Sequence, residues 1–228
     1  MTLDYHTTVA FVTNETPSVY TLGVHVPTAM AAPKSGQFFM IGVAVEGVQM
    51  RRPYSYSAWH DGVVEFCIKR IPHGPVSSRL YACKPGDAVT LAGPYGVFVL
   101  REPIARDCLF LASGTGISAL KPMVYAALQK SNQGVWLFLG VRTEEEIMYR
   151  EEFEILQRDN RRFHFVPVLS RQQWTGAMGH VQDVVASYIA HRDADIYLCG
   201  VRQMVEDAKA ALEALGFPKE RIFFEKYT

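Results

Sequence analysis

The sequence predicts a two-part chain: an N-terminal antiparallel β-barrel over residues 1–101, followed by a parallel α/β domain over residues 102–228. Three observations carry this expectation. The first part is a series of short apolar, β-branched runs broken by glycine and proline. The second part alternates apolar runs with helix-period stretches. The length of 228 residues suits two domains of about 100 residues each.

In the first part, strand-like runs fall at residues 7–13, 19–25, 38–45, 63–70 and 88–92, punctuated by Pro33, Gly36, Gly47, Gly62, Gly74, Pro85–Gly86 and Gly93–Gly96. Short strands at this spacing with few helical stretches predict an antiparallel barrel. One short helix is expected at residues 77–82. In the second part, buried-strand runs at 108–112, 135–139, 163–169 and 196–199 alternate with helical stretches at 119–130, 144–158, 181–191 and 201–215. That order implies a parallel sheet covered by helices on both faces. Residues 101–106, with their proline, read as the linker.

Composition narrows the function. Apolar residues make up 49% and charged residues 20%, and Lys+Arg and Asp+Glu are both 23. Nothing global therefore points to nucleic acid or an anionic membrane. The start, MTLDYHTTVAF, lacks a basic-then-apolar pattern, and no apolar run approaches the roughly 18 residues of a membrane span. A cytoplasmic protein is expected. Cys67, Cys83, Cys108 and Cys199 are scattered without CxxC spacing, which argues against a zinc site or an iron–sulfur cluster.

Two motifs suit two different nucleotides. Arg52-Pro53-Tyr54-Ser55 sets a phosphate-pairing guanidinium, a flat aromatic and a small hydroxyl side by side. The hydroxyl is small enough to approach a flavin ring nitrogen. Alone, the four letters also read as a surface arginine beside a half-buried strand tyrosine. Gly74-Pro75-Val76-Ser77-Ser78 adds a glycine turn opening a helix, which is either an anion seat or an ordinary cap.

Gly114-Thr115-Gly116-Ile117-Ser118-Ala119 fits GxGxxA after an apolar strand and before a helix, the context of a dinucleotide fingerprint. The next strand ends at Gly140-Val141-Arg142 with no acid to hold a ribose, unlike a standard dehydrogenase. Cys199-Gly200 closes the fourth strand, at the edge where open α/β sheets bind ligands; a buried packing cysteine is the plainer reading. Glu225-Lys226-Tyr227 alone reads as a charged, frayed tail. Two nucleotide sites on one chain suggest electrons passing between two cofactors.

Taken in order, RxYS, GxxSS, GPxG at Gly93–Gly96, GTGI, CG and a terminal acidic–aromatic pair resemble the ferredoxin–NADP reductase superfamily, in a form without an iron–sulfur domain. The resemblance implies an FAD-binding barrel, an NAD(P)-binding domain and an active site in the cleft between them. It implies that Arg52, Pro53, Tyr54 and Ser55 contact the flavin, with Ser55 near N5, where hydride lands. Cys67-Ile68-Lys69 resembles the second FAD strand, and Gly74 with Val76-Ser77-Ser78 the diphosphate seat. Thr115 resembles the residue touching both cofactors, flanked by Gly114 and Gly116. Val141-Arg142 and Gly200-Val201 resemble contacts to the nicotinamide nucleotide. Cys199 and Glu225 resemble the pair flanking the nicotinamide, and Tyr227 the aromatic covering the flavin.

The chain departs from the family pattern in places. Ser118 stands where Ala is usual, Lys121-Pro122-Met123 replaces an Ala-Pro-Phe-like run, and Thr228 extends past the aromatic. Ser170-Arg171 matches half of a 2′-phosphate clamp, whose Lys and Tyr are not evident near residues 174–180. The implied function is an NAD(P)H-dependent FAD oxidoreductase, with Ser55, Cys199 and Glu225 catalytic. Its acceptor would be an electron-carrier protein such as ferredoxin, flavodoxin or an oxygenase component. A free-flavin reductase and a flavin-carrying electron-transfer subunit of a larger complex remain as alternatives.

Overall fold

The computed structural model describes residues 4–227; Thr228 and the first three positions of the N-terminal stretch lie outside the described residues. The chain divides into two compact units, Met1–Val99 and Leu100–Thr228.

The first unit holds strands β1 (Tyr5–Thr16), β2 (Val19–His25), β3 (Phe38–Val45), β4 (Val48–Ser55), β5 (Ala58–His60), β6 (Val63–Lys69) and β7 (Ala88–Tyr95), with one helix, α1 (Pro75–Tyr81). They form a seven-stranded sheet ordered β4-β3-β7-β1-β2-β6-β5, antiparallel at every pairing. A single core of Tyr20, Leu22, Phe39, Ile41, Phe66, Ile68, Leu80 and Leu91 lies inside it. Tyr54 of β4 and Trp59 of β5, from opposite ends of the strand order, pack on that same cluster. The sheet therefore curls round its core, and the Ser57 amide donates to the Glu65 carbonyl at 2.7 Å where the two ends approach.

The strand runs expected from the sequence correspond to β1, β2, β3, β6 and β7. The additional strands, β4 and β5, close hairpins through Glu46-Gly47 and Asp61-Gly62. All four of these turn residues have positive φ, at 49°, 81°, 48° and 75°. That is the turn whose twist matches paired strands. Pro53 is tolerated because β4 ends the strand order.

The second unit runs β8 (Asp107–Ser113), α2 (Ile117–Lys130), β9 (Val135–Val141), α3 (Arg150–Asp159), β10 (Phe163–Leu169), β11 (Ala177–Met178), α4 (Val181–Tyr188), β12 (Ala194–Val201), α5 (Arg202–Ala214) and β13 (Ile222–Tyr227). The six-stranded sheet has the order β11-β10-β9-β8-β12-β13 and is parallel throughout. Leu109, Leu111, Ile196 and Leu198 share a core with Val185 of α4 and Val205 and Leu212 of α5. Phe153 of α3 packs against Phe163 and Phe165, with ring centroids 6.0 and 5.1 Å apart.

Residues 101–106 follow the boundary between the two units and are tied into the second: the Arg101 amide donates to the Tyr197 hydroxyl at 3.0 Å, and Glu102 pairs with Lys130 at 2.6 Å. Two expectations change. The helix expected at 144–158 is split into a 3₁₀ turn, Glu144–Glu146, and α3. Between them Ile147, Met148 and Tyr149 turn inward to be buried, and Tyr149 takes a left-handed φ of 55°. Residues 225–227 are no frayed tail but the end of β13, paired with β12.

Candidate functional site

The first unit assembles one group of the expected contacts. On β4, Arg52 and Pro53 are exposed, Tyr54 is half-buried and Ser55 is buried. Neighbouring Arg51 is committed to Asp4 at 3.1 Å. The Arg52 guanidinium reaches only the Arg51 carbonyl, at 2.8 Å, and has no carboxylate partner among the described residues. Burial pushes the Tyr54 phenol up to about 12, against a smaller opposing effect of Arg52. Tyr54 thus presents a neutral, flat face.

Cys67 and Ile68 of β6 are buried and Lys69 is exposed. Tyr20 ties β2 to α1: its hydroxyl donates to the Ser77 carbonyl at 2.8 Å. Burial, with Tyr54 nearby, holds the Tyr20 phenol well above its usual range.

Gly74 is the N-cap of α1, and a Cβ there would crowd Ile71 Cβ and Ser77 Oγ, both at 2.9 Å. The Ser77 hydroxyl accepts from the Ile71 amide at 3.2 Å, and that of Ser78 donates to the Ile71 carbonyl at 3.4 Å. Both hydroxyls therefore shape the turn. The donors left to an anion are the amides of Val76 and Ser77, which lack an intrahelical acceptor in the first turn.

The second unit gathers another group at the carboxyl ends of β8 and β12. The strand order reverses there, with β9 and β10 on one side of β8 and β12 and β13 on the other. Ligands bind at such a switch point in open α/β sheets. Gly116 must be glycine, because a Cβ would penetrate the Cys199 carbonyl. Gly200, at φ 152°, is bound in return, because a Cβ would run into Ser113 Oγ. Ser113 Oγ accepts the Val201 amide at 3.2 Å, which locks the two glycine motifs together. Gly114 differs. Its φ is 52°, and a Cβ there would meet nothing within 4 Å, so its backbone borders open space. Thr115 is half-buried between these glycines.

Cys199 is fully buried and directly in register with Glu225, while Val201 faces Tyr227 in the same ladder. Burial, followed by the Glu225 carboxylate, drives the Cys199 thiol well above its usual range; a hydrogen bond with Tyr227 opposes this.

Val141-Arg142 and Ser170-Arg171 form the adjoining strand ends. The Arg171 amide donates to the Arg142 carbonyl at 3.0 Å, and the Ser170 hydroxyl donates to the Val141 carbonyl at 3.2 Å. Arg142 and Arg171 are both exposed, and neither forms an ion pair among the described residues.

Two contributors were not legible as site residues. Ser113 stands first in the glycine-rich turn, but nothing in the local sequence shows that its hydroxyl reaches across to the Val201 amide. Ser57, two residues past RPYS, has a buried hydroxyl with no hydrogen-bond partner among the described residues, a donor that suits a bound group. Among the described residues no His/Cys/Asp/Glu cluster could hold a metal, and no helix is long and apolar enough to cross a membrane. The donor sets fit the two groups the sequence implies: an uncommitted guanidinium beside a neutral aromatic for a flavin nucleotide, and open backbone over Gly114 for a dinucleotide.

Comparison with known proteins agrees. The oxidoreductase FAD-binding domain family matches residues 7–100, and the oxidoreductase NAD-binding domain family matches residues 110–210. Ferredoxin–NADP reductase B of Sorangium cellulosum (strain So ce56) is 30% identical over 207 residues, covering 85% of each chain. The reductase component of propane 2-monooxygenase from Rhodococcus jostii (strain RHA1) is 31% identical over 207 residues, 86% of this chain and 55% of that one. Among solved structures, an Amycolatopsis cytochrome P450 reductase superposes with a TM-score of 0.91 at 26% identity, covering 100% of this chain and 70% of the other. A Neisseria gonorrhoeae ferredoxin NADP+ reductase with bound FAD and NADP shares the fold, with a TM-score of 0.87 at 22% identity and 98% of each chain covered.

Proposed function

The chain belongs to the ferredoxin–NADP reductase family, and from that premise we propose which of its residues hold each cofactor and where its electrons go. It is an FAD-dependent oxidoreductase that moves electrons between a nicotinamide dinucleotide and a protein acceptor. The observation that carries the assignment is the interlock of Gly116 with the Cys199–Gly200 backbone, which leaves Gly114 facing open space.

In this reading Arg52 pairs with the FAD diphosphate, helped by the Val76 and Ser77 amides, and Tyr54 stacks on the flavin. Cys67, Ile68 and Lys69 supply backbone contacts. Gly114, Thr115 and Gly116 receive the dinucleotide with Val141, Arg142, Gly200 and Val201. Cys199, neutral and buried, shapes the nicotinamide pocket, while Glu225 and Ser55 orient the reacting rings and Tyr227 covers the flavin. The protein's task is orientation and water exclusion; the flavin supplies the conversion between two-electron and one-electron transfer. Ser170 and Arg171 favour NADPH.

The acceptor in this reading is a small electron carrier of the ferredoxin or flavodoxin kind. Likeness to the propane 2-monooxygenase reductase supports a second acceptor, an oxygenase component, with the same half-reaction. The test of the residue assignment is Ser55→Ala. Flavin reduction at saturating dinucleotide should slow by about tenfold with FAD content unchanged. An unchanged rate assigns Ser55 to packing alone.

A further inference from the structure

We propose that Lys121 is a positioning residue for the dinucleotide, acting through Glu152 and Tyr149 to clamp the turn that carries Arg142. This rests on the assignment of Arg142 as a dinucleotide contact.

Lys121 lies early in α2, shortly after the glycine fingerprint, and is only 6% exposed, a rare state for lysine unless it is paired. Its Nζ is 2.8 Å from Glu152 Oε2 and 4.1 Å from the centroid of the Tyr149 ring. Tyr125, one turn further along α2, donates to Glu152 Oε1 at 2.6 Å. Both oxygens of Glu152 are thus held from the helix that begins at the fingerprint. The Tyr125 phenol is raised by burial and by its hydrogen bond to Glu152, and stays a donor.

What this group holds is a backbone that would not hold itself. Tyr149 has a φ of 55°, an outlier for a bulky aromatic that persists only where the surroundings fix it. The preceding turn leads directly to the strand end: the Arg142 amide donates to Glu146 Oε2 at 2.9 Å, and Ile147 and Met148 are buried between Glu146 and Tyr149. The path from Lys121 to Arg142 is short and made of packed or bonded groups. The pair is buried at the lysine and half-buried at the carboxylate, so desolvation offsets much of its attraction, and its part here is to select one conformation. Here it fixes the spacing between the glycine fingerprint and Arg142.

The experiment is steady-state reduction of ferricyanide by the FAD-loaded full chain at varied NADPH. It compares the parent with Lys121→Met, Glu152→Gln, Lys121→Arg and the control Lys130→Met, a lysine on the same helix whose exposed partner is Glu102. Lys121→Met and Glu152→Gln should each raise KM by about tenfold with kcat within about twofold, Lys121→Arg should return KM to near the parent value, and the control should change nothing. The sign for Glu152→Gln is decisive. If Lys121 acted only through its charge, deleting a nearby negative charge would lower KM for an anionic dinucleotide. A lowered or unchanged KM in Glu152→Gln therefore overturns the clamp. If Lys121→Met does not fold, the isosteric Glu152→Gln decides alone. A parent that reduces ferricyanide with neither NADPH nor NADH overturns the functional reading itself, and the clamp with it, before any variant is made.

Discussion

Cys199 and Glu225 stand directly opposite one another on the neighbouring parallel strands β12 and β13. Burial and the neighbouring carboxylate both raise the thiol above its ordinary range, and in the proposed reading its contribution is shape rather than nucleophilic or proton-transfer chemistry. None of the four cysteines forms a disulfide, and all four are buried. A thiol reagent at neutral pH should therefore label none of them quickly in the native protein and all four after urea unfolding. Rapid labelling of native Cys199 would show a reactive thiolate and contradict this role.

The two glycines of the fingerprint should separate folding from binding. Gly116→Ala forces a methyl into the Cys199 carbonyl and should destabilise the second unit by about 3 kcal/mol. Gly114→Ala meets no neighbour and should cost about 1–2 kcal/mol for its left-handed φ, while abolishing tight dinucleotide binding. Thermal melts and dinucleotide titrations read the two effects. Normal dinucleotide affinity in Gly114→Ala would remove the fingerprint from the site.

Arg52→Ala should weaken flavin retention, because a charge-assisted phosphate contact contributes on the order of 1.5–3 kcal/mol. Equilibrium dialysis of FAD checks it, and Arg51→Ala, which breaks only the exposed pair with Asp4, is the comparison. Equal retention by Arg52→Ala and the parent would reassign the phosphate contact.

Much of this arrangement was legible in the residues themselves. The apolar runs of β2, β8, β9, β10 and β12 are buried on both faces or nearly so, and burial of that kind leaves a continuous hydrophobic signature. β4 left none: it is an edge strand, mostly exposed, with Arg51, Arg52 and Pro53 in the middle, and only its β3 register keeps it extended. The break at Tyr149 is a tertiary effect, since Glu144, Glu145 and Glu146 favour a helix start, while burial of Ile147, Met148 and Tyr149 bends the chain. At the site, GxGxxA was readable because Gly116 is demanded by its contact with the Cys199 backbone and Gly114 by its left-handed φ. The Ser113 cap, the commitment of the Ser77 and Ser78 hydroxyls to their own turn and the Cys199–Glu225 register are three-dimensional facts with no local pattern.

Coenzyme choice follows from the strand ends at Arg142 and Arg171. Exposed guanidinium groups without carboxylate partners among the described residues suit the nearly two negative charges of a 2′-phosphate. NADPH should be preferred over NADH by roughly tenfold, or about 1.4 kcal/mol. Arg171→Ala should erase that preference by raising KM for NADPH and leaving KM for NADH nearly unchanged. Equal or better efficiency with NADH in the parent would contradict it.

The most direct test of the electron-transfer assignment is anaerobic stopped-flow mixing of the FAD-loaded chain with NADPH and, separately, with NADH. The long-wavelength flavin band should bleach rapidly, at lower concentrations of NADPH than of NADH, and recover when an oxidised one-electron carrier such as ferredoxin is added. A flavin that stays oxidised after mixing with either dinucleotide would contradict the account.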